Sequence, residues 1–320
     1  MSIAWCFSRL SSAAAATACL AMLSTAGVRA EVVFTPFAYP GASETLPNGI
    51  DGDRIVGAYY PSPAHGFYYD GSSYSSLYHP SATSETKANG IDGDTIVGYY
   101  ANGTGSHGFT YSISGQTWQT VDVPGAVTIL SGIDGARMVG NSRSGGLFTA
   151  FLKDAGGFTM LSGASLGASQ TFASAIHGDL VGGSYLTSAT GNSRFAYLYD
   201  VQSQVYTQFV LPFAGVVSSF VTGISDSFIV GSYDDATGTH GYFYNRLDSS
   251  WQSVDATGAV NGTYLGGVSG NRAVGYYNDA NWDSHGFVVE AVPEIDPAGL
   301  SSVVTLLGGV LALIERRRRS

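Results

Sequence analysis

The chain has almost no cysteine: Cys6 and Cys19 stand alone, both within the first twenty residues. Once that stretch is removed no thiol remains, which excludes a disulfide framework, a cysteine metal site and a cysteine nucleophile. Lysine is nearly as scarce, with only Lys87 and Lys153, and charged residues make up 12% of the chain. Between residues 31 and 294 there are 22 acidic side chains against 8 basic ones, a net charge near −14. A nucleic-acid binder needs a basic footprint, so that class is set aside. HExxH, a phosphate-binding loop and the G-x-G-x-x-G fingerprint are all missing. No cofactor is implied.

Glycine (43), tyrosine (20) and phenylalanine (16) are plentiful instead. With abundant Ser and Thr, this mixture suits an all-β protein rich in tight turns. The glycines fall in a repeat. A Gly-Ile, a tight turn and an Ile-Val-Gly strand appear as NGIDGDRIVG (48–57), NGIDGDTIVG (89–98), SGIDGARMVG (131–140), a shortened SAIHGDLVG (174–182), TGISDSFIVG (222–231) and GGVSGNRAVG (266–275). The anchor glycines are Gly57, Gly98, Gly140, Gly182, Gly231 and Gly275, spaced by 41, 42, 42, 49 and 44 residues. A third strand follows as HGFYY, HGFTY, TAFLK, FAYLY, HGYFY and HGFVV, and a fourth segment such as TWQTVDVPGA completes most copies.

A period of this size means a solenoid, propeller or array. Successive side chains of a strand point to opposite faces, so the Ile-Val pair asks for burial on both faces. Blades stacked in a propeller provide that; a sheet covered on one side would alternate. The sixth copy has no fourth strand, whereas EVVFTPFAYPGAS (31–43) resembles a fourth segment without its first three. We therefore expect a six-bladed β-propeller over 31–291, about four short strands per blade, with residues 31–39 supplying the last outer strand. The repeat resembles the HAF-type repeats of exported bacterial proteins, over roughly residues 44–290.

The first 30 residues read as a signal peptide. Arg9 precedes a short apolar run, AAAATACLAML, and Val28-Arg29-Ala30 places small or modest residues for cleavage between Ala30 and Glu31 by signal peptidase, after export by the secretion machinery. About 11 apolar residues are too few to span a bilayer. At the other end, Val292, Pro293, Glu294, Ile295, Asp296 and Pro297 form an acidic, proline-bounded segment. Residues 298–314 carry no charge, a run just long enough for a transmembrane helix. Arg316, Arg317, Arg318 and Arg319 form a cytoplasmic stop under the positive-inside rule. This three-part tail (292–320) resembles the PEP-CTERM sorting signal, a domain also labelled ice-binding-protein C-terminal. The resemblance implies an exosortase-type transpeptidase as partner and processing near Pro293-Glu294. An inner-membrane-anchored precursor would then give a product at the cell surface or in the extracellular matrix. The inserted Ile295-Asp296 departs from the simplest Pro-Glu-Pro form.

Within the repeats the bland readings outweigh the chemical ones. His65, His107, His240 and His285 recur before the third strand, roughly 9–10 Å outside the innermost strand, too far apart to converge on a metal. Each is expected to bond a backbone carbonyl at a blade corner. His79 and His177 break the pattern and have no evident partners. Gly163-Ala164-Ser165-Leu166-Gly167 matches the G-x-S-x-G string but falls at a blade junction, away from any strand-to-helix turn. Asp51-Gly52-Asp53 and Asp92-Gly93-Asp94 read as tight turns, since no calcium loop follows. Exposed aromatics remain as candidate sugar-stacking residues: Tyr60, Tyr100, Tyr277 and Trp282. The expected function is non-enzymatic, with no catalytic or metal residues. The alternatives are an exopolysaccharide-binding propeller and, third, a propeller hydrolase.

Overall fold

The computed structural model describes residues 32–291 except 61, 62, 190 and 192. The expected signal peptide with its Ala30–Glu31 junction, the sorting segment Val292–Pro297, the apolar run 298–314 and Arg316–Arg319 lie outside the described residues. Val32–Ala291 forms one compact unit. It begins with β1 (Val33–Pro36). Blade 1 follows as β2 (Glu44–Asp51), β3 (Arg54–Tyr60), β4 (His65–Tyr69) and β5 (Tyr74–Leu77), and blade 2 as β6 (Glu85–Asp92), β7 (Thr95–Asn102), β8 (Gly105–Ser112) and β9 (Thr117–Thr120). Blade 3 is β10 (Val127–Asp134), β11 (Arg137–Ser144), β12 (Leu147–Asp154) and β13 (Gly157–Leu161). Blade 4 is β14 (Gln170–His177), β15 (Leu180–Leu186), β16 (Phe195–Asp200) and β17 (Val205–Gln208). Blade 5 is β18 (Ser218–Ile224), β19 (Phe228–Asp235), β20 (Gly238–Asn245) and β21 (Trp251–Val254). Blade 6 is β22 (Thr263–Ser269), β23 (Arg272–Asn278) and β24 (Ser284–Glu290), completed by β1.

The chain is thus a six-bladed β-propeller of four-stranded antiparallel blades. β1 pairs with β24 from Val33↔Glu290 to Pro36↔Phe287, so the N-terminal strand is the outer strand of the last blade. The innermost strands β2, β6, β10, β14, β18 and β22 contact one another in sequence, and β22 returns to β2. The hydrophobic cores lie between blades. Val56 and Leu77 of blade 1 pack with Ala88, Ile91 and Ile96 of blade 2. At the seam, Phe37, Val274 and Val288 pack with Ile50, Ile55 and Phe67. This explains the two-sided Ile-Val pair: Ile55, Val56, Ile96 and Val97 are all 1% exposed or less.

Each anchor glycine sits where two structures press on one point. A Cβ on Gly98 would lie 2.0 Å from the Lys87 carbonyl oxygen and 2.9 Å from the Phe109 ring, and Gly57, Gly140 and Gly275 meet the same pair of neighbours. The backbone can approach this closely only without a side chain. The innermost strand reaches that point through a β-bulge, with register shifts between Pro47 and Gly49, Ala88 and Gly90, and equivalents in all six blades.

The structure corrects the phase of the fourth repeat. Ala173 pairs with Gly183, as Ala88 pairs with Gly98, so the anchor is Gly183 and the copy SAIHGDLVGG is full length. Gly182 occupies the valine position. A Cβ there would come within 2.4 Å of Val221 Cγ1, so the small residue makes room for a larger one on the next blade.

Candidate functional site

The strand order gives the ring two different faces. On one lie the Asp-Gly turns that join first to second strands. On the other lie the starts of the innermost strands and the loops joining second to third strands.

The turn face is a closed ring of bonds between blades. Asp51 accepts from Gly93 N–H (3.0 Å), Asp92 from Gly135 (2.6 Å) and Asp134 from Gly178 (3.1 Å). His177 stands at the fourth Asp position and bonds Asp226 (2.8 Å), which replaces the glycine of the fifth turn. Ser225 donates to the Gly270 carbonyl (3.1 Å), and Gly52 N–H donates to Ser269 Oγ (3.0 Å), returning to blade 1. The Asp-Gly pairs are turns, with φ of 60° at Gly52 and 55° at Gly93. Beyond turning the chain, their carboxylates link each blade to the next. His177, without an evident partner in the sequence, is part of that ring.

On the opposite face the histidines form brackets with the tyrosine two residues past the anchor glycine. His107 bonds Asp122 (2.7 Å) and Thr104 (2.8 Å), and His240 bonds Asp255 (2.7 Å) and Thr237 (2.8 Å). His285 bonds Asp279 (3.1 Å), and His65 lies against Tyr59 and Ser76. The expected backbone-carbonyl partners are replaced by carboxylates and hydroxyls, because the end of the fourth strand delivers an Asp beside the ring. His79 also has a place. It is buried, stacks on Tyr100 at 3.7 Å and accepts from Ser81 N–H (3.1 Å). Burial, with a smaller contribution from His107, lowers its pKa.

A second feature had no signal strong enough to be read from the sequence. A buried hydroxyl stands at the start of every innermost strand, second in β2, β6, β10, β14 and β18 and first in β22: Thr45, Thr86, Thr128, Thr171, Ser219 and Thr263. Each accepts a backbone N–H, in blades 1, 2, 3 and 6 from the linker arriving from the preceding blade. The recurrent Thr or Ser was visible, but short hydroxyl residues are common throughout the chain.

The candidate sugar-stacking residues are not brought together. Tyr100 is 5% exposed, held between His79 and His107, and offers no free ring face. Tyr60 lies half-buried on the mouth face, close enough to Lys87 and Tyr276 to influence both electrostatically. Trp282 is 65% exposed on the loop before β24, in the left-handed region at φ 70°, with the loop folded on Asp279. Tyr277 lines a cavity of about 340 Å³ at the seam. There the bracket is incomplete. Pro36 stands where Ser76, Thr120 and Ser253 meet the equivalent tyrosines. Ala38 stands where Asp122 and Asp255 meet the histidines. Ser165 of the G-x-S-x-G string is exposed on a single 3-10 turn between β13 and β14, with no helix behind it.

A concave feature lies at the mouth of the central channel, a cavity of about 470 Å³. Asn48, Asn89, Ser131, Ser174 and Thr222 reach it from the bulges of the innermost strands. Most of these polar groups also serve the ring: Asn48, Asn89 and Thr222 donate to the carbonyls of Ala88, Leu130 and Leu265 on the next blade. The floor is therefore amide and hydroxyl, with no carboxylate among the described residues that line the cavity. One wall holds the stacked pair Tyr264 and Tyr276, 4.9 Å apart, and burial pushes the Tyr276 hydroxyl up to about 12. Another wall holds Arg194, whose guanidinium lies 3.8 Å from the Phe172 ring centre and 5.9 Å from that of Phe220. Burial lowers its pKa.

No family model and no curated protein matches the chain. Among solved structures it is similar to a putative TolB from Agrobacterium tumefaciens (TM-score 0.53, 13% identity), covering 83% of this chain and 99% of that one. It is similar too to TolB from Acinetobacter baumannii (TM-score 0.50, 13% identity), covering 75% of this chain and 65% of that one, so this chain spans just under two thirds of that protein. The β-propeller domain of the Trilobed protease from Pyrococcus furiosus aligns at TM-score 0.47 and 8% identity, over 80% of this chain and 98% of that one. At such identities the likeness shows the propeller fold and assigns no activity.

Proposed function

We propose that this chain is an exported, non-enzymatic propeller, sorted to the cell surface or extracellular matrix by an exosortase-type transpeptidase acting on its C-terminal tail. The observation that carries this reading is the order of the last 29 residues: Pro293-Glu294-Ile295-Asp296-Pro297, then 17 uncharged residues, then Arg316–Arg319. The propeller's own architecture is compatible with removal of that tail. Its last outer strand is β1, so cleavage beyond Ala291 takes no strand from any blade. Ala291 is pinned to the turn face through both bonds to Asn271 (2.9 and 3.2 Å). Val33 pairs with Glu290 at the same end. Deleting residues 292–320 in a host that makes an exosortase tests the reading. Surface or matrix material should be lost and propeller should accumulate in the periplasm; an unchanged distribution contradicts it.

A second reading, a carbohydrate-binding propeller in the same location, is favoured by one observation. The channel mouth combines aromatic walls with an amide and hydroxyl floor, the composition of a small-molecule site.

A further inference from the structure

We infer that the mouth cavity takes a sugar bearing a carboxylate, with Arg194 receiving the carboxylate and the aromatic walls receiving the ring. The inference rests on the carbohydrate-binding reading and is independent of how the chain is sorted.

The first argument is a census of charge. Acidic side chains outnumber basic ones by 22 to 8 between residues 31 and 294. Arg54, Lys87, Arg137 and Arg272 each meet a carboxylate. Arg143, Lys153, Arg194 and Arg246 meet none among the described residues, and of these four only Arg194 lines the mouth cavity, where it is half-buried. A buried charge is costly unless paired. The face of Phe172 offsets part of that cost through its ring quadrupole. The cation otherwise stands open to a ligand. Lys87 and Arg143 also lie on the mouth face, but neither lines the cavity: Glu85 meets Lys87 at 3.3 Å, and Arg143 bonds the Gly146 carbonyl (3.5 Å) and lies 5.5 Å from the Phe148 ring centre. A planar guanidinium is suited to a carboxylate in a way an ammonium is not.

The second argument is the polarity of the floor. Asn48 and Asn89 spend their amide nitrogens on backbone carbonyls, which leaves their side-chain oxygens without a donor from the described residues. The hydroxyls of Ser174 and Ser184 line the same cavity and likewise have no partner there. Such acceptors and hydroxyls match a ligand rich in hydroxyl groups. The stacked Tyr264 and Tyr276 supply the apolar surface that a sugar ring covers. Net charge limits the ligand. A body near −14 repels a polyanion, but screening over about 8 Å at physiological salt lets one carboxylate beside Arg194 escape that field. A single uronic acid, isolated or at a chain end, satisfies these conditions.

The test titrates the full secreted protein with D-glucuronate, D-glucose and inorganic phosphate by calorimetry. Glucuronate is expected to bind at least tenfold tighter than glucose. Arg194→Gln should bring glucuronate down to the level of glucose, Arg194→Lys should keep part of the difference, and Ser184→Ala should weaken both sugars together. An unchanged thermal midpoint identifies a folded variant; if Arg194→Gln does not fold, Arg194→Lys and Ser184→Ala decide. Equal binding of the two sugars, or glucuronate binding indifferent to position 194, overturns the role of the carboxylate and leaves the sugar reading standing. Phosphate bound as tightly as glucuronate reduces Arg194 to a bare anion contact and overturns the inference. If neither sugar binds, both readings fall.

Discussion

Tyr197 and Tyr242 occupy the same place in successive blades, beneath the anchor glycine, where the other four blades carry Phe67, Phe109, Phe151 and Phe287. Both are fully buried, but their hydroxyls differ. Tyr242 donates to the Phe220 carbonyl at 2.8 Å, whereas Tyr197 Oη has no partner among the described residues. Removing a satisfied hydroxyl loses a bond, and removing an unsatisfied one relieves a desolvation penalty. Tyr242→Phe should therefore cost about 1 kcal/mol and Tyr197→Phe should gain about 1 kcal/mol, read from urea midpoints at constant m-value. The His240 bracket has a pH signature. Burial alone would lower His240, but the Asp255 and Asp235 carboxylates outweigh it and raise its pKa. A raised folded-state pKa stabilises below the unfolded value near 6.5 and ceases to do so as pH rises through the folded value. Thermal midpoints should fall as pH rises from about 6 towards 8, and His240→Gln should flatten that fall. The sequence placed these histidines at blade corners. It could not name their partners, because Asp122 and Asp255 come from the far end of a different strand, 15 residues later in each case.

At the scale of the element, the strand order and the anchor glycines were legible, and their phase was legible in five repeats of six. The exception has a physical reason. Leu180-Val181-Gly182-Gly183 offers two glycines, and only the pairing of Ala173 with Gly183 identifies the one under the inner-strand carbonyl. The distinction between glycine roles leads to a sharp contrast. Gly98→Ala places a Cβ 2.0 Å from a carbonyl oxygen inside a packed blade and should cost about 3 kcal/mol or prevent folding. Gly93→Ala meets open space and bears only the strain of φ 55°, about 1 kcal/mol. Circular dichroism melts of the two variants separate close approach from turn geometry. The ring of turns was only half legible. Asp-Gly announces a turn, but nothing in the string says that Asp92 reaches the amide of Gly135 on the next blade, 43 residues away. The compensating pair His177 and Asp226 shows that the link itself is what the position requires: both residues depart from the repeat, and together they restore a bond.

For the whole molecule, closure was the feature read most directly from the sequence, since a missing fourth strand at one end and an orphan one at the other can only meet in a ring. The mouth cavity was not legible. Its lining comes from the innermost strands of all six blades, from several of their neighbours and from the approach to β16, so Arg194 and Phe172 meet only after the chain has folded. The closed ring also bears on sorting. Because β1 and β24 complete one blade, loss of the residues after Ala291 would take no strand from the propeller. The intact mass of the mature protein, isolated from a host that makes an exosortase, tests this account most directly. The account predicts a chain that begins at Glu31 and ends near Pro293-Glu294, with any surface attachment as added mass. A mass that still includes residues 298–320 would contradict it.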